Sequence, residues 1–190
     1  MQLLFKRIVI ALAAVVLLGA GTAFASTSAP SPDSSAFFSG RASLLLAEIR
    51  SETMGLTSNA DTLGTFARTA QPYSWQSHAN YLERVKARIN AVGERVAELQ
   101  QIRYAVLPWQ QQAITEVASH AAQVAASTQA AIVHLRENRE RLFVSEYRDH
   151  LTTIADRSGD LHQTVGKFLD YEKAQQRFQQ LQNELERSGD

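Results

Sequence analysis

The sequence predicts an all-α protein, an antiparallel up-down-up-down four-helix bundle with long helices and an overhanging C-terminal helix. From about Ser35 onward the apolar residues recur at spacings of three and four, which is the period of amphipathic helices. There is no strand-like alternation and no Asn-Gly hairpin dipeptide. The pattern breaks in three places, and four segments joined by short turns favour antiparallel neighbours.

The second segment carries the clearest apolar seam. Charged residues fill its other faces, which is typical of a long amphipathic helix with a heptad seam. The seam consists of Trp75, His78, Leu82, Val85, Ile89, Val92, Val96, Leu99, Ile102 and Val106.

Two further segments repeat this pattern. The third seam spans residues 114–142 and has small residues in its middle, so a neighbouring helix could approach closely there. The first and weakest seam spans residues 42–70, where Gly55 and Gly64 offer places for a break.

The fourth seam begins at Tyr147 and is interrupted by Ser158 and Gly159, which could kink or divide the helix. This segment should overhang the other three by a few turns. Its Gln-rich end, residues 175–182, offers a surface for an extended dimer. The apolar residues that extend the seam into the overhang are Phe178, Leu181 and Leu185.

The predicted boundaries have local causes. Pro72 disfavours helix in the residue before it, and Ser74 can cap the helix that follows. Pro108 lacks an amide hydrogen, so the chain should reverse beside it. The third break falls between Asn138 and Ser145, with Ser145 the best N-cap.

Residues 1–25 have the three parts of a secretory signal peptide. Lys6 and Arg7 start it, residues 8–19 are apolar, and Ala23-Phe24-Ala25 provides the small-x-small cleavage pattern. We expect cleavage after Ala25. The alternative is an uncleaved membrane anchor, since a helix of about 18 residues is just long enough to cross a bilayer.

The mature chain is predicted to be a single domain. Residues 26–34 are rich in Ser and Pro and should form a disordered leader, residues 35–186 form the helical bundle, and residues 187–190 form a tail. The chain contains no cysteine, which excludes disulfides and a lipoprotein anchor, so its stability must come from packing.

Charge and motifs exclude several classes of function. Acidic and basic residues balance, and loss of residues 1–25 removes two positive charges, so nucleic-acid binding is disfavoured. The chain has no phosphate-binding glycine loop, no Gly-x-Ser-x-Gly elbow and no His-Glu-x-x-His motif. We therefore expect no enzymatic activity, no resident cofactor, and membrane contact only through residues 1–25 if they are retained.

Folding the chain at the predicted turns brings three histidines to one end of the bundle. His134 and His150 lie at one level on either side of the third turn, and His78 lies about one turn away. Glu146 precedes His150 by one helical turn. Imidazole and carboxylate ligands suit zinc, copper or nickel, so His78, His134, His150 and Glu146 form a candidate metal site.

The competing interpretation is structural. His134 and His150 each stand beside a seam residue, so they are expected to flank the core and hydrogen-bond to neighbours or water. The aromatic residues also map to the two ends of the bundle, where large rings should cap the core. Tyr73, Trp75, Phe143 and Tyr147 fall at the histidine-containing end, and Phe37, Phe38, Tyr104, Trp109 and Phe178 at the other.

Residues 105–114, AVLPWQQQAI, and residues 138–148, NRERLFVSEYR, resemble segments of exported helical-bundle proteins of soil bacteria. That group has no characterised function, so the resemblance implies no activity, ligand or site residue. The signal segment looks like those of Gram-negative export, which implies the periplasm.

Two functions follow as hypotheses. The first is a non-enzymatic exported protein of the cell envelope with an interaction or scaffold role, which binds another protein or itself. The alternative is a periplasmic bundle that binds a metal or small molecule at the end containing His78, His134 and His150.

Overall fold

The computed structural model describes residues 32–69 and 74–188, with the side chains of residues 32–34 left aside. The helices are α1 (Pro32–Arg68), α2 (Trp75–Ile102), α3 (Pro108–Glu137) and α4 (Ser145–Ser188), and a 3-10 turn (Arg103–Ala105) follows α2. No strand occurs in these ranges, so the predicted all-α fold is confirmed.

Each helix packs against its neighbours in sequence, and α4 returns to pack against α1. The ion pairs between α1 and α2 show their direction. Arg41 lies 2.6 Å from Glu98 near the start of α1, whereas Glu52, farther along α1, lies 2.8 Å from Arg88. Later residues of α1 thus meet earlier residues of α2, which is the antiparallel arrangement of an up-down-up-down bundle.

The core consists of the four predicted seams. Most of their apolar members within the described ranges are buried, because each helix turns its apolar stripe toward the shared axis. The exposed members are Trp75, Phe178, Leu181 and Leu185. The largest fully buried side chains are Tyr147, Leu45, Leu46, Ile49, Leu56, Leu63, Leu82, Leu99, Ile114, Leu151, Ile154 and Leu161.

The helix starts have the local causes that the sequence indicates. The Ser77 amide donates to Ser74 Oγ at 3.2 Å, so Ser74 caps α2. Pro108 is the first residue of α3, where its missing amide hydrogen costs nothing. The helix α4 begins at Ser145, one residue earlier than expected, since Ser145 was predicted to be the N-cap that precedes the helix.

The breaks that the sequence allows inside α1 and α4 do not divide these helices. Both helices continue without interruption through Gly55, Gly64, Ser158 and Gly159. Tertiary packing outweighs the helix penalty of glycine, which is about 1 kcal/mol per residue. At Gly64 the close packing of α1 on α4 leaves no room for a side chain, since a Cβ there would stand 3.0 Å from Ala155 Cβ.

The helical region is longer at both ends than expected. The predicted domain boundary at residue 35 lies inside α1, which begins at Pro32, and α4 continues to Ser188. The predicted signal peptide, the leader up to residue 31, Pro72 and Tyr73 lie outside the described residues. Within the described ranges, none of the helices combines the length and hydropathy needed to cross a bilayer.

Two glycines should respond differently to alanine. Gly93 in α2 has open space around its Cα, so Gly93→Ala should raise the free energy of unfolding by about 1 kcal/mol through helix propensity alone. Gly64→Ala should lose that gain, because the new methyl group crowds Ala155. Urea unfolding of both variants measures the difference, and equal stabilisation would show that α1 and α4 do not approach closely at Gly64.

Candidate functional site

Four aromatic rings meet at the end of the bundle where α2 and α4 begin, which we call the histidine end. The four rings are Phe66 of α1, His78 of α2, His134 of α3 and Tyr147 of α4. A further ring of α2, Tyr81, packs edge-on against Phe66. His78 lies 4.8 Å from Phe66 and 5.5 Å from Tyr147 between ring centroids. His134 stacks on the same tyrosine at 4.9 Å, so one buried ring connects two of the three predicted histidines.

His78 and Tyr147 form a buried polar pair. His78 is 4% exposed and Tyr147 is fully buried, and His78 Nδ1 lies 3.0 Å from the Tyr147 hydroxyl. Burial lowers the pKa of His78 from its ordinary 6.5 to about 4, because desolvation disfavours the imidazolium. Burial also raises the pKa of Tyr147. Both groups are therefore neutral at pH 7, and their hydrogen bond satisfies two otherwise unpaired buried groups.

The other predicted ligands face a different space. An open pocket of about 490 Å³ lies between α3 and α4 at the histidine end. Its polar lining consists of His134, Glu137, Asn138, Arg141, Glu146 and His150. His134 Nε2 donates to the Arg141 carbonyl at 3.3 Å, so the turn between α3 and α4 already occupies that nitrogen. His78 does not line this pocket.

The predicted metal set of His78, His134, His150 and Glu146 is therefore not assembled. In the part of the chain that the structure describes, no group of three or more His, Asp or Glu side chains is placed to hold a metal ion. The three histidines lie at the predicted end of the bundle, but their side chains do not point toward one another. His78 points at Tyr147 in the core, whereas His134 and His150 point toward the pocket.

The opposite end of the bundle, where α1 and α3 begin, exposes most of the large apolar side chains that the core leaves uncovered. We call it the open end. The exposed residues at this end are Phe37, Leu44, Tyr104, Leu107, Tyr171, Phe178, Leu181 and Leu185. Elsewhere in the described ranges, only Met54, Trp75 and Phe143 are comparable.

The expectation that aromatic rings cap the core is correct for only some of them. Phe38 and Trp109 pack against the core at the open end. Phe37 and Tyr104 are 70% and 86% exposed, and Phe178 is 62% exposed. These three rings stay largely exposed, because none of the helices in residues 32–69 and 74–188 covers them.

The last part of α4, residues 171–188, forms what we call the α4 extension. From Lys173 onward almost every side chain is exposed, so the predicted overhang is present. Its apolar residues nevertheless keep the spacing of three and four that marks a helix seam. The seam of the extension consists of Tyr171, Ala174, Phe178, Leu181 and Leu185.

A buried glutamine holds the helices together where the extension leaves the bundle. Gln110 is 1% exposed, and its Nε2 donates to the Ser39 carbonyl at 2.9 Å and to Ser43 Oγ at 3.1 Å. Its Oε1 accepts from the Leu107 amide at 3.2 Å, which also caps α3. Ser43 in turn donates to Glu172 of α4. Sequence reasoning did not identify this network, and the only signal was a glutamine two residues after Pro108.

Comparisons with known proteins add no family to these observations. No protein-family model, curated protein or solved structure matches the chain. The resemblance of residues 105–114 and 138–148 to exported bacterial proteins stays a prediction.

The buried His78 should make the fold sensitive to acid. Its folded pKa of about 4 lies below its ordinary value of 6.5, so between these pH values the unfolded chain binds a proton that the folded chain excludes. This contribution to stability is present above pH 6.5 and is lost as the pH falls toward 4, with a total of about 3 kcal/mol.

Urea unfolding of wild type, His78→Gln and His150→Gln from pH 7.5 to 4.5 measures this effect. Glutamine can still hydrogen-bond to Tyr147 but does not titrate. His78→Gln should therefore reduce the slope of the unfolding free energy against pH by the amount that corresponds to about one bound proton. His150→Gln, on the pocket wall, leaves His78 intact and is the control. An unchanged slope in His78→Gln would assign the acid sensitivity to another group.

Proposed function

We propose that this chain is a non-enzymatic, exported helical bundle of the cell envelope that binds another protein chain through its open end. The observation that carries the proposal is the seam of the α4 extension. Tyr171, Phe178, Leu181 and Leu185 lie on one helix at seam spacing, and each is about half exposed or more.

An apolar helix face without a neighbour is costly in water. Burial of one Leu or Phe side chain stabilises a complex by about 1.5–3 kcal/mol. A face with seam spacing fits a partner helix, since knobs from one helix enter holes on the other. Exposed apolar residues that share one helix face, as in the α4 extension, mark interaction sites more often than scattered ones do.

The histidine end gives less support to a catalytic or binding role. The perturbed pair there, His78 and Tyr147, is sealed in the core and surrounded by Phe66 and His134. A group that acts on a substrate must reach it, and neither atom of this hydrogen bond faces the pocket. We therefore assign the His78–Tyr147 pair a structural role and not a catalytic one.

Export rests on residues 1–25, whose composition is that of a signal peptide. Cell fractionation and intact-mass measurement test it. Wild type should be recovered from the periplasm as a chain that begins at Ser26, and Ala25→Arg should retain residues 1–25, because signal peptidase needs a small residue before the cleaved bond. A full-length chain in the cytoplasm of wild-type cells would contradict export.

Site-specific photo-crosslinking in cells tests the interaction. A benzophenone amino acid at Leu181, in the seam, should give a covalent adduct of defined mass. The same residue at Gln129, an exposed position on α3, is the matched control and should give none. Equal yields at both positions, or no adduct at Leu181, would overturn the proposal that the open end is the binding surface.

A further inference from the structure

We infer that the chain bound at the open end is a second copy of this protein, and that the two α4 extensions pair side by side in antiparallel directions. The inference rests on the proposed function, since it names the partner of the same surface. It follows from the spacing and the charges of the extension itself.

The apolar seam of the extension can pack against the same seam of a second copy that runs in the opposite direction. If two extensions run antiparallel about a two-fold axis between residues 179 and 180, Phe178 of one copy faces Leu181 of the other. In the same register Ala174 faces Leu185, which pairs a small side chain with a large one. Every apolar residue from position 174 to position 185 then meets an apolar residue of the other copy.

The charges beside the seam favour this register. Arg177 and Glu184 occupy equivalent positions on one flank of the seam, seven residues apart. In the antiparallel pair Arg177 of each copy lies opposite Glu184 of the other, so the two-fold axis generates two ion pairs. Neither residue makes an ion pair within the described part of its own chain.

The other flank is uncharged and also matches itself. Gln175 of one copy lies opposite Gln182 of the other, where two amides can each donate and accept. A parallel pair would instead place Arg177 beside Gln182 of the other copy, which forms no ion pair. The flanking residues therefore select the antiparallel direction.

The size of the interface sets the expected strength. The extension is about 25 Å long at 1.5 Å per residue. Its seam, from Tyr171 to Leu185, spans about two heptads, which is short for an isolated coiled coil. We therefore expect a reversible monomer–dimer equilibrium instead of an obligate dimer.

Charge reversal with rescue tests the pairing. Sedimentation equilibrium of the chain from residue 26 onward should give a dimer that dissociates on dilution. Arg177→Glu and Glu184→Arg each replace two attractions by two repulsions, and each should raise the dissociation constant by about tenfold or more. The double variant R177E/E184R restores both ion pairs and should return to the wild-type constant.

A matched control separates the pairing from a general effect of charge. Glu186→Arg makes the same change as Glu184→Arg, but position 186 lies off the seam and its flanks, so the dissociation constant should stay within about twofold. Circular dichroism should show equal helix content in all variants, since residues 177, 184 and 186 are exposed.

Spin labels test the direction, and the absence of cysteine makes single labelling simple. With a label at Gln180→Cys, beside the two-fold axis, the two spins of an antiparallel dimer should have almost no offset along the helix axis. With a label at Arg187→Cys they should be separated by about 22 Å along the helix axis, so the spin–spin distance should be longer at this position. A parallel dimer would give equal distances at both positions and would overturn the inference.

The remaining outcomes also decide between the proposals. A chain that stays monomeric at every concentration, or a dimer unaffected by both single charge reversals, overturns the inference. If such a monomer still gives an adduct from Leu181 whose mass is that of a different protein, the proposed function stands and only the second copy is wrong. If the Leu181 adduct has twice the mass of the chain, the result supports both the proposed function and the second copy as the partner.

Discussion

Burial of four apolar seams along one shared axis holds this protein together. The chain has no cysteine, so no disulfide supplements the packing. A seam is buried only at levels where neighbouring helices are present, and the helices differ in length. α2 and α3 contain 28 and 30 residues, whereas α4 contains 44. The last turns of α4 consequently have apolar residues and no core to receive them.

Two of the polar side chains buried in the core, Gln110 and His78, lie near opposite ends of the bundle. Gln110 joins α3 to α1 at the open end, and His78 joins α2 to α4 at the histidine end. A one-turn slip of any of these helices would leave a buried donor or acceptor unpaired, which costs more than a hydrogen bond contributes. These contacts oppose such slips, and at the open end they set where the α4 extension leaves the bundle.

The two ends therefore differ in chemical character. At the histidine end the polar groups are satisfied internally, and the pocket beside His134 is open and polar. At the open end Phe178, Leu181 and Leu185 lie exposed on one helix face, and the charges beside them complement a reversed copy of the same helix. This contrast favours interaction at the open end and a structural role for the buried rings at the histidine end.

Much of the candidate site could be predicted from spacing, because distances along a helix are regular. The turn positions placed His134 and His150 at one level, and both residues line the same pocket. The spacing did not predict the direction in which each side chain points. A metal site needs side chains that converge on one point, and His78 instead faces a tyrosine hydroxyl whose position depends on the packing of four helices. The same limit applies to Phe37 and Tyr104, which lie at the predicted end of the bundle but outside its core.

By itself, the sequence determined that helices begin beside Ser74, Pro108 and Ser145 and which residues form the apolar row of each helix, since capping and apolar period are local properties of the chain. It also determined the spacing and charges of the α4 extension. Only the tertiary structure decided that α1 continues through Gly64 and that Gln110 is buried, because both depend on what a neighbouring helix presents at that level. It likewise decided that the extension is uncovered, since exposure depends on where the other helices end.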